Sequence, residues 1–288
     1  MRTTANSIAA LWMAGWISVS AQPALCQPSA RLLSGRSLQD SLAAELTLTV
    51  SDARTADLLQ TLQRDTGIPV ILDRRIDPTA DPGSYSGTMT IAQLLRSIAE
   101  SLNCGVSYSE HFVYIGPKRA AESLRTVIEL RRQEISGLRG IMPADTYRAI
   151  VADRPASWPR LAQPRELLTA AAPQAGLQIE NADVVPYDLW RAGELPDVSF
   201  AEYASVILIQ FDLTFHIDEQ GSVLRVEPLP EAVRIEQKHR VAARRKDAVQ
   251  QRWQTEFADL EFSWQGSTAV VAATIEQHER LDELIREP

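Results

Sequence analysis

Histidine and cysteine are the side chains that most often bind metals or activate nucleophiles, and this chain has few of them. No two histidines lie four residues apart, and two distant cysteines are too few for a zinc knuckle. The sequence also lacks a Gly-x-Ser-x-Gly nucleophile motif and a glycine-rich phosphate loop. We therefore predict no catalytic residue, no metal site and no cofactor. This prediction assigns no catalytic or metal-binding role to any histidine or cysteine of the chain, which are His111, His216, His239, His278, Cys26 and Cys104.

Three short features leave a binding role open. His278 and Glu279 are expected on a solvated face of the last helix. Residues 137–140 have the Gly-x-x-Gly spacing of a KH nucleic-acid loop, and the alternative is a plain turn after a helix. Trp190 lies in a loop close to Tyr187. Its ring is expected either to anchor a partner or a sugar, or to pack on its own sheet.

A basic stretch interrupts an otherwise acidic chain whose formal net charge is −8. That balance repels phosphate backbones, so we predict no nucleic-acid partner. The stretch is expected either to bind an acidic protein surface or anionic lipid headgroups, or to be a solvated helix face or linker. Its candidate binding residues are Arg244, Arg245 and Lys246, and its other members are Arg234, Lys238, Arg240 and Arg252.

The N-terminus has the three-part pattern of a secretory signal peptide. Arg2 is the only charge before Arg31, residues 8–19 are mainly apolar, and small residues follow up to Ala21. The apolar run is shorter than the roughly 20 residues of a spanning helix. We therefore predict a signal peptide over residues 1–21 and a periplasmic or otherwise exported protein; a retained N-terminal anchor is the alternative. The mature chain would begin at Gln22 or, less favoured, at Gln27.

Residues 22–44 are predicted to form a flexible N-terminal tail. Cys26 lies in this tail, and export would place it in an oxidising compartment. A Cys26–Cys104 disulfide is therefore one alternative. The other is that Cys104 is a small buried hydrophobic residue.

Comparison of the chain with itself indicates a duplication at a fixed offset of 109 residues. This offset places Gly67 on Gly176 and Thr90 on Ser199. We predict two related modules over residues 45–118 and 161–230, joined by a helical linker over residues 119–160. Apolar positions aligned by the same offset are Leu58 and Leu167, Ile98 and Ile207, Leu102 and Phe211, and Val106 and Phe215.

Each module is predicted to have the element order β-α-β-β-α-β-β, an α+β fold with two helices packed on a short mixed sheet. In the first module, Gly67 is expected to end one helix and Thr90 to cap the next. In the second, Pro155 and Pro159 obscure the opening strand. Residues 231–288 are predicted to form a partial β-α-β-β-α module, with its first strand near residues 240–243.

The first module resembles the short N-terminal domain of secretins and TonB-dependent receptors. The resemblance rests on LTLTVSDARTADLLQTLQRDTGIPVIL (46–72) and GTMTIAQLLRSIAESLNCGVSYSEHFVYI (87–115). It implies an interaction module that passes signals between envelope proteins or stacks in secretin rings. We therefore expect a non-catalytic envelope protein whose partner is another envelope protein or a component of a secretin- or TonB-like system, and a homo-oligomer is an alternative. A polysaccharide- or peptidoglycan-binding protein with aromatic loops is the second hypothesis.

Strand addition at an open sheet edge is the docking mode that we expect for such modules. The late hairpin strand of the first module contains no proline and is hypothesised to offer this edge. Its candidate partner-binding residues are Phe112, Val113 and Tyr114. Residues 223–226 are the counterpart in the second module.

Overall fold

The computed structural model describes residues 31–287. The predicted signal peptide, its two cleavage sites and Cys26 lie outside these residues. Within 31–287, no helix has both the length and the hydropathy needed to cross a membrane.

The first described element is a helix, α1 (Gly35–Ala43), in a segment predicted to be a flexible tail. Leu38 and Leu42 are buried in the same core as Leu94 and Ile98. Burial of these two leucines stabilises the helix by several kcal/mol, at about 1.5–3 kcal/mol for each side chain. The prediction for residues 22–44 is therefore wrong from Gly35 onwards.

The first module has its elements in the predicted order, but its strands form two sheets instead of one. β1 pairs antiparallel with β3, and the second sheet has the order β2-β5-β4. Gly67 ends α2 in the left-handed conformation, and Thr90 caps α3 through reciprocal hydrogen bonds with Gln93, both as predicted. The elements are β1 (Glu45–Val50), α2 (Thr55–Thr66), β2 (Val70–Leu72), β3 (Tyr85–Thr90), α3 (Ile91–Ser101), β4 (Gly105–Tyr108) and β5 (Val113–Gly116).

Two helices connect the modules: α4 (Lys118–Gly137) and α5 (Ala144–Val151). α4 occupies the first part of the predicted helical linker and packs against β4 of the first module. Residues 137–140, which have the Gly-x-x-Gly spacing, form the end of α4 and a turn. The predicted linker extends too far, because residues 154–158 belong to the second module.

The second module repeats the first in element order and in strand pairing. β6 pairs antiparallel with β8, across an irregularity between Pro155 and Ala156, and the other sheet has the order β7-β10-β9. β7 and β10 are parallel, as are β2 and β5. The elements are β6 (Arg154–Trp158), α6 (Pro164–Gln174), β7 (Gln178–Glu180), β8 (Gly193–Val198), α7 (Phe200–Leu208), β9 (Leu213–Ile217) and β10 (Val223–Pro228).

The offset of 109 residues also relates special backbone positions of the two modules. Gly67 and Gly176 both have positive φ, and so do the non-glycine residues Asn103 and Asp212. Thr90 and Ser199 each form a complete capping box. Positive φ and caps mark where helices begin and end, so the two modules share their chain path as well as their apolar pattern.

The third module has the predicted order β-α-β-β-α and an antiparallel sheet ordered β11-β13-β12. Its first strand begins five residues earlier than predicted, because Ile235 and His239 alternate inwards along it. Its elements are β11 (Ile235–Arg240), α8 (Lys246–Glu256), β12 (Glu261–Gln265), β13 (Thr268–Ala273) and α9 (Ile275–Arg286).

The predicted docking edge is wrong, because β5 is the central strand of its sheet and β10 is central in the second module. Phe112, Val113 and Tyr114 are completely buried. Val113 faces the core of the first module, whereas Phe112 and Tyr114 face a core shared with α4 and the second module. The run of apolar residues thus reflects a strand that is buried on both faces.

Val113→Pro is therefore expected to unfold the first module. The N–H of Val113 donates to the Pro69 carbonyl at 2.8 Å, and proline would remove this donor from the ladder of a central strand, where proline is not tolerated. Urea unfolding measures the loss. Val113→Ala is the matched control, because it keeps the N–H and removes only two methyl groups. A Val113→Pro protein as stable as the wild type would contradict the central position of β5.

Candidate interaction site

The first and second modules meet at a buried charge network around Asp73, the residue that follows β2. Its side chain is fully buried and accepts hydrogen bonds from Arg75 at 2.8 and 2.9 Å and from the Tyr114 hydroxyl. Arg75 also donates to Asp212 at 2.9 Å and to the Ile209 carbonyl at 3.1 Å, both in the second module. The carboxylate of Asp73 therefore links the two modules. It binds Tyr114 of β5 in the first module and Arg75, which in turn binds the segment after α7 in the second module.

The negative charge of Asp73 is buried, and the positive charge of Arg75 compensates it. Burial raises the pKa of Tyr114, and the negative charge of Asp73 raises it further. Burial alone would lower the pKa of Arg75, but hydrogen bonds and attraction to Asp73 outweigh it, so the pKa is raised. Tyr114 therefore stays neutral and Arg75 stays charged across the physiological range of pH.

Arg74 makes a second connection next to this network. Its backbone N–H donates to Gln210 at 2.9 Å, and its guanidinium pairs with Asp188 and lies 4.9 Å from the centre of the Phe211 ring. Phe211 stacks on Trp190, with ring centres 6.2 Å apart. The aromatic stack of the second module is therefore capped by a cation from the first.

Trp190 belongs to the interior of this stack. It is 8% exposed, its indole N–H donates to Asp188 at 3.1 Å, and its ring lies 5.9 Å from that of Trp158. The hypothesis that Trp190 anchors a partner or a sugar is wrong, because its ring faces are covered by protein. Packing within its own module, the alternative interpretation, is what the structure contains.

The neighbours of Trp190 form the module-2 apolar patch, which we define as Leu161, Val184, Tyr187 and Leu189. Tyr187 is 69% exposed, Leu161 60%, and Val184 and Leu189 each 45%. Residues 31–287 contain six exposed large hydrophobic side chains, and four of them lie in this patch. Exposed apolar side chains concentrated on neighbouring segments indicate an interaction site more strongly than scattered apolar residues do.

Hydrogen bonds from two neighbouring segments hold the loop between β7 and β8, which contains Val184, Tyr187 and Leu189. The N–H of Leu161 donates to the Trp190 carbonyl at 2.7 Å, and the N–H of Trp190 donates to Ala162 at 2.9 Å. Arg165 of α6 donates to the carbonyls of Asp183 and Val185. These bonds fix the loop before any partner arrives, so binding would cost little ordering of the backbone.

The three basic candidates do not form one binding surface. Arg244 is exposed. Arg245 donates to the Glu287 carbonyl, and the ammonium of Lys246 lies 4.6 Å from the centre of the Trp264 ring. Two of the three side chains are thus engaged within the third module, at the start of α8.

A third connection between the modules involves a histidine. His111, in the turn between β4 and β5, lies 2.6 Å from Glu202 of α7, measured from Nδ1 to Oε1. Glu202 is almost fully buried and also pairs with Arg132 of α4 at 3.1 Å. The hydrogen bond to Glu202 raises the pKa of His111. Burial would raise the pKa of Glu202, but its bonds to His111 and Arg132 lower it.

A groove of about 420 Å³ lies beside this pair, where the first module, α4, α7 and α9 meet. Its wall includes Arg125 and Arg132, which are already paired with Glu279 and Glu202. In the described part of the chain, no group of three or more His, Cys, Asp or Glu residues could hold a metal ion. The groove therefore serves the contact between modules, and the module-2 apolar patch remains the stronger site.

Comparisons of the chain with protein-family models, with curated proteins and with solved structures found no match. The function is therefore inferred from the geometry of the chain itself.

Sequence reasoning chose Trp190 in the loop between β7 and β8, whereas the exposed apolar side chains of the loop are Val184, Tyr187 and Leu189. Tyr187 and Leu189 were neighbours of the chosen Trp190, and the signal that could have selected them is that the largest ring of a loop tends to be buried. Leu161 gave no signal, because its contact with the loop depends on the fold. Asp73, Arg74 and Arg75 were missed because charged residues after a short strand are typical of an ordinary loop.

The contact between His111 and Glu202 is expected to make stability depend on pH. The raised pKa of His111 gives stability that is present below its unfolded pKa, about 6.5, and is lost as pH rises through the folded value. The lowered pKa of Glu202 gives stability that is present above about 4.3 and is lost as pH falls. The contact is therefore strongest between about pH 4.5 and pH 6.5.

Comparison of wild type with His111→Gln measures this effect, because glutamine can hydrogen bond but does not titrate. We expect wild type to exceed the variant by about 1 kcal/mol in urea unfolding at pH 5.5, with most of the difference lost at pH 8.5. An equal difference at both pH values would show that the contact is not a titrating ion pair.

Proposed function

We propose that this chain is an exported, non-catalytic protein of the cell envelope that binds another protein through the module-2 apolar patch. The observation that carries the proposal is the exposure of four apolar side chains, three on a loop that the rest of the fold holds in place and Leu161 on the segment hydrogen-bonded to it. A rigid apolar surface of this kind gains free energy when a partner removes it from water.

The composition of the patch supports a protein partner. Tyrosine is enriched in protein interfaces because it offers a large ring and a hydroxyl at a small cost in side-chain entropy. Tyr187 shares the patch with two leucines and a valine, and the side chain of Asp188, its neighbour in the chain, is turned towards Arg74. The patch therefore combines an aromatic anchor with an apolar rim.

The location and the class of partner rest on the sequence. Residues 1–21 support export, and the resemblance to secretin and TonB-receptor modules supports a partner in the envelope, such as a component of such a system. The net charge of −8 does not favour nucleic acid. A second copy of this chain is an alternative occupant that the experiment must distinguish.

Peptidoglycan binding remains a second candidate because of one side chain. Trp190 is covered on both ring faces, but Tyr187 projects into solvent in the same loop. A single exposed ring can stack on a sugar, whereas an apolar group of four residues fits a protein better. The same substitutions therefore test both candidates.

Photo-cross-linking in cells that produce the full chain tests the proposal. A benzoylphenylalanine at position 187 is expected to give one discrete protein adduct in the envelope fraction. The matched control carries the probe at Glu219, an exposed turn residue remote from the patch in the sequence, and should give none. Leu189→Asp should reduce the adduct about tenfold while thermal unfolding stays unchanged.

The outcomes separate the candidates. An adduct of twice the mass of the chain would identify a second copy as the partner. Binding to purified peptidoglycan that Tyr187→Ala abolishes, without a protein adduct, would favour the polysaccharide candidate. Equal labelling from positions 187 and 219 would overturn the role of the patch. Recovery of the chain with its original Met1 in the cytoplasm, in place of a chain beginning at Gln22, would overturn export.

A further inference from the structure

A hydrogen-bonded chain of three titratable side chains runs from Asp282, which is 47% exposed, into the core of the third module. His239 of β11 is 4% exposed and His278 of α9 is 2% exposed. Asp282 Oδ1 lies 2.7 Å from His239 Nδ1, and His239 Nε2 lies 2.8 Å from His278 Nδ1. His278 Nε2 lies 2.9 Å from the Ile235 carbonyl oxygen. The predicted solvated position of His278 is therefore wrong.

The acceptors at the two ends of this series of hydrogen bonds determine which histidine nitrogens must donate. The Ile235 carbonyl only accepts, so His278 Nε2 must donate to it. The carboxylate of Asp282 also only accepts, so His239 Nδ1 must donate to it. The contact between the rings needs one more hydrogen. Two neutral imidazoles carry two hydrogens, and the three bonds need three, so the pair must hold one additional proton.

We infer that His239 and His278 share one bound proton under the control of Asp282, and that its release loosens the packing of α9 and thereby of the third module on α4. The inference is independent of the proposed function. It describes a pH-dependent change in the packing of α9 within the third module.

The two rings have different surroundings. Burial lowers the pKa of His278. His239 lies directly beside the negative charge of Asp282. On release, the lone pairs of His239 Nε2 and His278 Nδ1 would face each other at 2.8 Å. That arrangement is repulsive in a site from which water is excluded, so one of the rings must move.

Helix α9 connects this pair to the rest of the chain. The N–H of Ile275, at the start of α9, donates to the Thr126 hydroxyl of α4 at 3.0 Å. Arg125 of α4 pairs with Glu279 at 2.9 Å and lies 3.7 Å from Glu276. A shift of His278 moves the same helix that makes these contacts, so the state of the proton is transmitted to α4.

The surroundings of the pair contain few other charges. α8 contributes the uncharged Trp253 ring, 5.8 Å from that of His239, and β13 places Ala269 opposite His239. The charged groups on the side of α9 that faces α4 are Glu276, Glu279 and Arg125. Asp282 is therefore the carboxylate that governs the proton of the pair.

Imidazole NMR on the full chain, with hydrogen exchange as a second measurement, tests the inference. At pH 6 the one-bond and long-range ¹H–¹⁵N spectra should show one charged and one neutral ring for His239 and His278. Between pH 6 and pH 9 the proton should leave in one step. In parallel, amide exchange in β11 and α9 should rise about tenfold beyond its intrinsic increase with pH, as expected for the loss of one charge-assisted hydrogen bond.

Asp282→Asn is the decisive variant, because asparagine can still accept from His239 but carries no charge. It should move the midpoint of proton release about one pH unit lower. His216→Gln removes a histidine outside the third module and should leave the midpoint unchanged. Two neutral rings throughout pH 5–9 would overturn the inference, and so would proton release without a change in α9 exchange. If Asp282→Asn does not fold, the wild-type titration decides alone, because either ring pattern at pH 6 gives an answer.

Discussion

The arrangement of this chain depends on a fully buried carboxylate. An ion such as that of Asp73 is costly to remove from water and is tolerated only when its hydrogen bonds are complete. Tyr114 of the central strand β5 and the fork of Arg75 supply them, and Arg75 in turn binds Asp212 and Ile209 of the second module. Because no member can leave without stranding a charge, the network fixes the relative position of two modules that each resemble a free-standing unit.

The candidate interaction surface follows from this constraint. Arg74, next to the buried network, pairs with Asp188 and covers Phe211, which stacks on Trp190. These contacts hold the loop from which Tyr187 and Leu189 project. Phe112 and Tyr114 meet the second module in a shared core, so the surface that was predicted to capture a partner is already occupied inside the chain. The module-2 apolar patch contains four of the six large hydrophobic side chains that remain exposed in residues 31–287 after the modules have packed.

The sequence predicts local order well and pairing poorly, for physical reasons. The start or end of a helix depends strongly on the type of one residue. The helix ends at Gly67, Thr90 and Ser199 could therefore be located from the sequence, and the constant offset between such positions indicated the duplication. The central position of β5 could not, because the same apolar run suits an edge or a central strand until its neighbours are known. Asp73, His239 and His278 look like solvated residues because Tyr114, which binds Asp73, and the partners of the two histidines lie far away in the sequence. These residues stabilise the fold only through tertiary contacts, which the sequence does not show.

The most direct test of the account is whether the first two modules unfold as one unit. Hydrogen exchange followed by mass spectrometry during urea unfolding can report β5 and β10 separately in wild type, Arg75→Ala, Asp212→Ala and the double variant. We expect one shared transition in wild type, two separate transitions in Arg75→Ala, and a coupling energy between Arg75 and Asp212 of about 1 kcal/mol or more. A single unchanged transition in Arg75→Ala, with additive effects in the double variant, would contradict the account.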